Sequence, residues 1–233
     1  MTTENKKFKD FVSQLPSSIQ EEIEDAIEMS IVSSDFDDDT LQMMKEINPE
    51  YYESILNQPI EFLKVLFSTK QQKDFEFLDD EEEDIIVWEG NYHSEKNITF
   101  QNEKIIIING NVTCNNLIVN DSYLFVNGNV SCKVLFGASS NDKMTRITLN
   151  LKAKSIVENG HYTVVDGKIE AENIVMIHNE IKSNTAIEAK VIFESTEYES
   201  NKLNSLITDD EGYFDEEKFL EKINEDADFN ILN

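Results

Sequence analysis

The sequence predicts an α+β chain built on a short three-sided parallel β-helix, a β-solenoid of about 18 residues per rung and about six rungs, with an N-terminal helical unit and a C-terminal helix. Three observations carry that expectation. An apolar anchor recurs at Val112, Val130, Leu151, Ile169 and Ile187, at intervals of 18, 21, 18 and 18. Helical apolar spacing in the first third of the chain gives way, after residue 85, to short β-branched and aromatic runs separated by Asn, Asp and Gly. Between the two patterns lies DDEEED, 79 to 84, which has no apolar residue to bury.

Residues 1 to 78 read as a small helical unit. In SSIQEEIEDAIEMSIV, 17 to 32, Ile19, Ile23, Ala26, Ile27 and Ile31 fall at three- and four-residue spacing, with Ser17 or Ser18 available as an N-cap. Further helices are expected at 40 to 47, 49 to 56 and 59 to 68, because Pro49 and Pro59 suit helix starts rather than interiors. The acidic run Asp79, Asp80, Glu81, Glu82, Glu83 and Asp84 is expected to be an exposed linker and a candidate acidic partner-binding surface.

The solenoid is expected over 85 to 197. Two residues after each anchor stands a small side chain, Cys114, Cys132, Ala153, Ala171 and Ala189, and five after it a branched one, Leu117, Leu135, Ile156, Ile174 and Ile192. An earlier copy begins with Tyr92 as anchor and Ser94 in the small column. A finer period of six runs through Phe100, Ile106, Val112, Ile118, Leu124, Val130 and Phe136, then, past an insertion at 139 to 144, from Leu151 to Phe193. Eighteen is three sixes, so each rung is expected to be a triangular coil stacked at about 4.8 Å on the next. Gly90, Gly110, Gly128 and Gly167 recur two before the anchor, where tight turns of positive φ are expected. Cys114 and Cys132 are the only cysteines; they are expected to pack one above the other in the interior, since neither a ligand set nor an activating base accompanies them.

Residues 198 to 233 form an acidic tail with a helix expected at 215 to 227, Asp215 as its N-cap and Phe219, Leu220 and Ile223 as its stripe. This helix is expected to pack on the end of the rod, or on a partner.

The three-by-six repeat, with its NGNV and DGKI turns followed by a small residue and a branched pair, resembles the bactofilin-type family of polymer-forming β-helical proteins over residues 88 to 194. That resemblance implies a rod that self-associates end to end without nucleotide; the helical unit and acidic tail depart from it. The six-residue period also looks like the hexapeptide-repeat acyltransferases, although here Thr113 and Ser131 stand where a small residue or glycine follows the branched one.

The chemistry such an acyltransferase needs was sought at His161 and His178, and both read more simply as surface or turn residues; His93 is equally isolated. Residues 35 to 46 place acids at four EF-hand positions but lack the turn glycine, and a second acidic stretch has Gly212 with Ile207 and Lys218 in ligand places. No catalytic residue, metal or cofactor is therefore expected. With 47 acidic against 20 basic residues, a net charge of −27, nucleic acid and anionic membranes are excluded as partners, and a basic protein is favoured. The longest apolar run, IIII at 105 to 108, is too short to span a bilayer, and MTTENKKFKDF has no apolar leader, so a cytoplasmic location is expected. The resulting expectation is a non-enzymatic solenoid that binds protein, as a scaffold or as an immunity-type antagonist of a basic partner. Filament formation and acyl transfer are the alternatives, and self-association stays open.

Overall fold

A computed structural model describes residues 3–34, 43, 45–50, 52, 60, 63–69, 83–195, 202–226 and 228–233. The expected segments at 35–42, most of 53–62 and the acids 79–82 lie outside the described residues. At the N-terminus are α1 (Thr3–Val12) and α2 (Ser17–Ser34). The strands follow in order as β1 (Val65–Thr69), β2 (Ile85–Glu89), β3 (Tyr92–His93), β4 (Ile98–Phe100), β5 (Ile105–Asn109), β6 (Val112–Thr113), β7 (Asn116–Asn120) and β8 (Tyr123–Val126). They continue as β9 (Val130–Ala138), β10 (Met144–Ile147), β11 (Leu151–Asn159), β12 (Tyr162–Val165), β13 (Ile169–Ile177), β14 (Ile181–Ser183) and β15 (Ile187–Ser195). A 3₁₀ turn, Ser205–Ile207, and α3 (Glu216–Glu225) complete the chain.

Every strand pairing is parallel. Face one is the seven-stranded sheet β1-β2-β5-β8-β10-β12-β14. The other sheet, β15-β13-β11-β9-β6-β3 with β4 and β7, supplies faces two and three, because β9 pairs with β6 through its first residues and with β7 through its later ones. The expected ladder is present: Val112 pairs with Val130, Val130 with Leu151, Leu151 with Ile169, and Ile169 with Ile187. Leu117, Leu135, Ile156, Ile174 and Ile192 form a second continuous column. Branched side chains at the same level of every rung stack without voids, and this like-on-like filling is what a parallel solenoid gains from its repeat.

The NGN turns have a use beyond reversing the chain. Asn111 Nδ2 donates to Asn91 Oδ1 at 3.2 Å, Asn129 Nδ2 to Asn111 Oδ1 at 2.9 Å and Asn150 Nδ2 to Asn129 Oδ1 at 3.1 Å, a ladder up one corner. At Gly128 the requirement is close approach rather than positive φ, since a Cβ there would stand 2.3 Å from the Gly110 carbonyl oxygen of the turn beneath.

Two faces carry a second apolar layer outside the rod. On face one, Ile85, Val87, Ile105, Ile107, Tyr123 and Phe125 point away from the interior and are covered by α1 and α2 through Phe8, Phe11, Ile19, Ile23 and Ile27. Ser18 does not serve as the expected cap; its hydroxyl donates to Asp166 Oδ2 at 2.9 Å. Arg146 reinforces that joint, with Nη1 2.9 Å from Glu22 Oε1 and Nη2 2.5 Å from Asp166 Oδ1. Burial pushes the Glu22 carboxyl up from its ordinary value, and the Arg146 charge opposes that rise.

On face three, Phe136, Val157 and Val175 point outward into a cluster with Ile207, Phe219 and Ile223. Phe136 and Phe219 meet edge to face at 5.0 Å between ring centroids. The C-terminal unit therefore packs along the side of the rod and not on its end. Asp215 caps α3 as expected, accepting from the Lys218 N–H at 3.0 Å.

One further expectation is corrected. Residues 59 to 68 were expected to be a helix, yet β1 begins at Val65 and pairs with β2, Val65 opposite Ile85. The six-residue series, which gave the three-sided rung, passes through the wall: Ile106, Val112, Leu124 and Val130 face inward, while Ile118, Phe136, Val157, Val175 and Phe193 face the C-terminal unit.

Candidate functional site

Among the described residues, face two is the side of the rod that neither terminal cluster covers. Its strands are short and alternate, with Val112, Val130, Leu151 and Ile169 inward and Thr113, Ser131, Lys152 and Glu170 between them. The outward row along the rod is His93, Thr113, Ser131, Lys152, Glu170 and Glu188. Toward the C-terminal end it becomes an ion lattice: Lys168 Nζ lies 2.8 Å from Glu170 Oε1 and 2.6 Å from Glu188 Oε2, and Lys190 Nζ 2.7 Å from Glu172 Oε1. Hydrogen bonds from Lys168 and Lys190 hold the Glu170 and Glu172 carboxyls below their usual range, and Glu170 with Glu188 raises Lys168. A shallow depression of about 600 Å³ lies here, bordered by Lys152, Ala153, Glu170, Ala171, Ile187 and Glu188.

Charge is distributed unevenly along the chain. Residues 1 to 84 hold 23 acidic and 7 basic side chains, residues 85 to 195 hold 12 and 10, and residues 196 to 233 hold 12 and 3. The solenoid stretch is close to neutral, and the acidity belongs to the segments on either side of it. Of the acidic run proposed as a partner surface, Glu83 and Asp84 are described. Asp84 Oδ2 accepts the Lys64 N–H at 2.8 Å, and the Asp84 carbonyl accepts the Ile105 N–H at 2.9 Å, so this acid fastens the entry to β2.

The small column is interior, as read. Cys132 pairs with Ala153 and Ala171 with Ala189; Cys114 and Ala153 are buried, and Cys132, Ala171 and Ala189 pack against the same core. Burial pushes the Cys114 thiol up to about 12 and the Cys132 thiol well above its ordinary value, Cys114 adding to the latter. Both sulfurs are free and held as unreactive thiols.

The histidines divide. His93 and His178 are exposed, His178 in a turn with φ of 66°. His161 lies in the two-residue turn between β11 and β12 but not on the surface: it is fully buried, as are Glu158, Thr163, Ser122 and Thr145. His161 Nδ1 is 3.3 Å from Glu158 Oε2, Thr163 Oγ1 donates to Glu158 Oε1, and His161 Nε2 lies 3.4 Å from the Ser122 carbonyl oxygen. Glu158 Oε2 and His161 Nδ1 thus face each other as a buried carboxyl–imidazole pair, and neither atom has another hydrogen-bond partner among the described residues. The glycine at 137 makes the room, since a Cβ there would stand 2.4 Å from Glu158 Oε2 and 2.7 Å from His161 Nδ1. Sequence reading missed this knot, although a glycine in the apolar stretch VLFGA, one rung below a glutamate in SIVEN, was a visible signal. Sealed from solvent, the pair meets no substrate from outside.

The insertion at 139 to 145 folds tightly onto its corner, with Ser139 Oγ 3.1 Å and the Ser140 N–H 3.0 Å from Asp121 Oδ1. Asp209, in the second acidic stretch, accepts the N–H groups of Glu211 and Tyr213 in a tight turn. Among the described residues no three of His, Cys, Asp or Glu converge as a metal site would require, and no helix is long and apolar enough to cross a membrane.

Fold and site together define a three-sided parallel β-solenoid protein with two clothed faces and one bare one. Comparison with known protein families, with curated proteins and with solved structures found no match to this chain.

Proposed function

We propose that this chain is a non-enzymatic protein-binding scaffold that receives a basic protein on face two, with its acidic flanks steering the approach. The observation that supports the reading is the unequal covering of the rod: α1 and α2 clothe face one, the C-terminal unit clothes face three, and face two is left as a rigid polar row. Strands held in a continuous ladder present such a row with little conformational freedom left to lose on binding. The near-neutral solenoid between acidic flanks suits an approach in which long-range attraction comes from the flanks and contact is made on the lattice of Lys152, Lys168, Glu170 and Glu188. An antagonist that covers the cationic surface of a nuclease-type partner is one form of this function.

Capture of basic proteins by immobilised chain, at low and high salt, tests the reading together with the variant Lys152→Glu/Glu170→Lys/Glu188→Lys. Capture that falls steeply with salt and is lost in the variant is expected. Capture that ignores salt, or that the variant retains, contradicts it.

A further inference from the structure

The last rung of the solenoid is unfinished in a way that no other rung is. Ile187 is 38% exposed, Val191 43% and Ile192 53%, whereas Ile169 and Ile174, which pair with Ile187 and Ile192 one rung below, are 0% and 1% exposed. No further rung lies above them among the described residues. Among the described residues nothing pairs with the outer edge of β15, whose alternate backbone N–H and C=O groups are left for a strand to use. β15 lacks two of the usual guards of an open edge: it contains no proline, and it keeps one register with β13. Of its charged side chains, Glu188 and Lys190 reach Lys168 and Glu172 of the rung beneath, and Glu194 is exposed.

We propose that this open end joins two copies of the chain, tail to tail, with β15 of one copy lying antiparallel to β15 of the other. The occupant follows from the opposite end. There Trp88, Tyr92, Ile98 and Phe100 are all at least nine-tenths buried, and β1 already occupies the edge of face one. A head-to-tail stack would seat Ile187 and Ile192 on a first rung whose β3 and β4 edges are unpaired among the described residues but whose apolar side chains are already buried, so it offers no exposed apolar surface to match them. An antiparallel pairing of like ends needs only the end that is open, and because it is isologous it stops at two. Charge permits the approach: the joint is formed by the near-neutral stretch 85 to 195, and α1, α2 and α3, with their acids, lie against the sides of the rod. Net repulsion between two chains of −27 is relieved by salt, so this contact strengthens with ionic strength, opposite to the capture of a basic partner.

Sedimentation of the full chain over a range of concentrations tests the inference. The mass is expected to rise from the 26.9 kDa of one chain toward twice that value, to stop there, and to reach it at lower concentration in high salt. Ile192→Lys is expected to remain a monomer throughout. In the unmodified protein, amide exchange along β15 is expected to slow at least tenfold as concentration rises, a readout that does not depend on the variant folding. A monomer at every concentration, growth past two copies, a different protein seated on β15 in its place, or exchange in β15 that ignores concentration overturns it.

Discussion

The two ends of the rod begin from the same material and finish differently. At the N-terminal end Trp88 and Tyr92 meet edge to face at 5.2 Å, β1 adds a strand beyond β2, and Trp88, Tyr92, Ile98 and Phe100 are buried. At the C-terminal end the same interior columns run out into water at Ile187 and Ile192. Register alone therefore does not close a solenoid; at this end closure comes with β1, outside the repeat, and with two large aromatic side chains in its first copy. What the repeat supplies is register, and register continues to the edge whether or not anything lies beyond it.

The comparison breaks most sharply at its closed end. Trp88→Ala removes the buried aromatic that plugs the first rung, and a loss of about 3–5 kcal/mol is expected from urea unfolding. A loss below about 1 kcal/mol, the range of exposed sites, would place the plug elsewhere. Nearly as large is the expected effect in the middle of the rod, where His161→Leu leaves the buried Glu158 carboxyl without its imidazole neighbour and costs about 3–5 kcal/mol, while adding Glu158→Leu recovers part of the loss. Strict additivity of the two changes would mean that the side chains are not coupled.

Smaller effects separate the two flanking units by pH. Asp215 and Asp228 are held below their ordinary value of 3.8, Asp215 first by the Lys218 N–H and Asp228 first by Lys133. The folded chain binds their protons less readily than the unfolded one. Their stabilisation is thus complete above 3.8 and is lost as pH falls through the lowered folded values. Glu22 is displaced the other way, above 4.5 by burial, so its contribution to α2 improves as pH falls through the raised value toward 4.5. Amide protection, taken relative to intrinsic exchange at each pH, is expected to fall in α3 on acidification while the Glu22 effect, taken as the difference from Glu22→Gln, moves in favour of α2. The same direction in both units would contradict these assignments.

Much of the architecture was legible in the chain. The 18-residue ladder needed only Val112, Val130, Leu151, Ile169 and Ile187, because a parallel coil must repeat its interior at every level. The capped helix after Asp215 and the interior place of both cysteines followed from local rules. The side on which each apolar residue falls was harder to read. Faces one and three are buried on both sides, so runs such as IIII and VLFGA are apolar throughout, and a period of six passes from the inside to the outside of the wall without a change of residue type. Face two, clothed on one side alone, alternates as V-T, L-K-A and I-E-A. That contrast between continuous and alternating runs was the available signal for which faces are covered. β1 was read as helix because VLFS is too short for its period to decide, and its partner Ile85–Glu89 lies beyond the acidic run. His161 was missed because burial of a polar pair depends on a glycine in a different rung.

One pair of substitutions tests the account most directly, because it asks the same residue in the same column on adjacent rungs. Ile174→Ala and Ile192→Ala, compared by urea unfolding of dilute chain so that copies are apart, are expected to differ widely. The first should cost about 2–5 kcal/mol and the second less than half as much. Equal costs would mean that Ile192 is as enclosed as Ile174, and the open end, with the association inferred from it, would not exist.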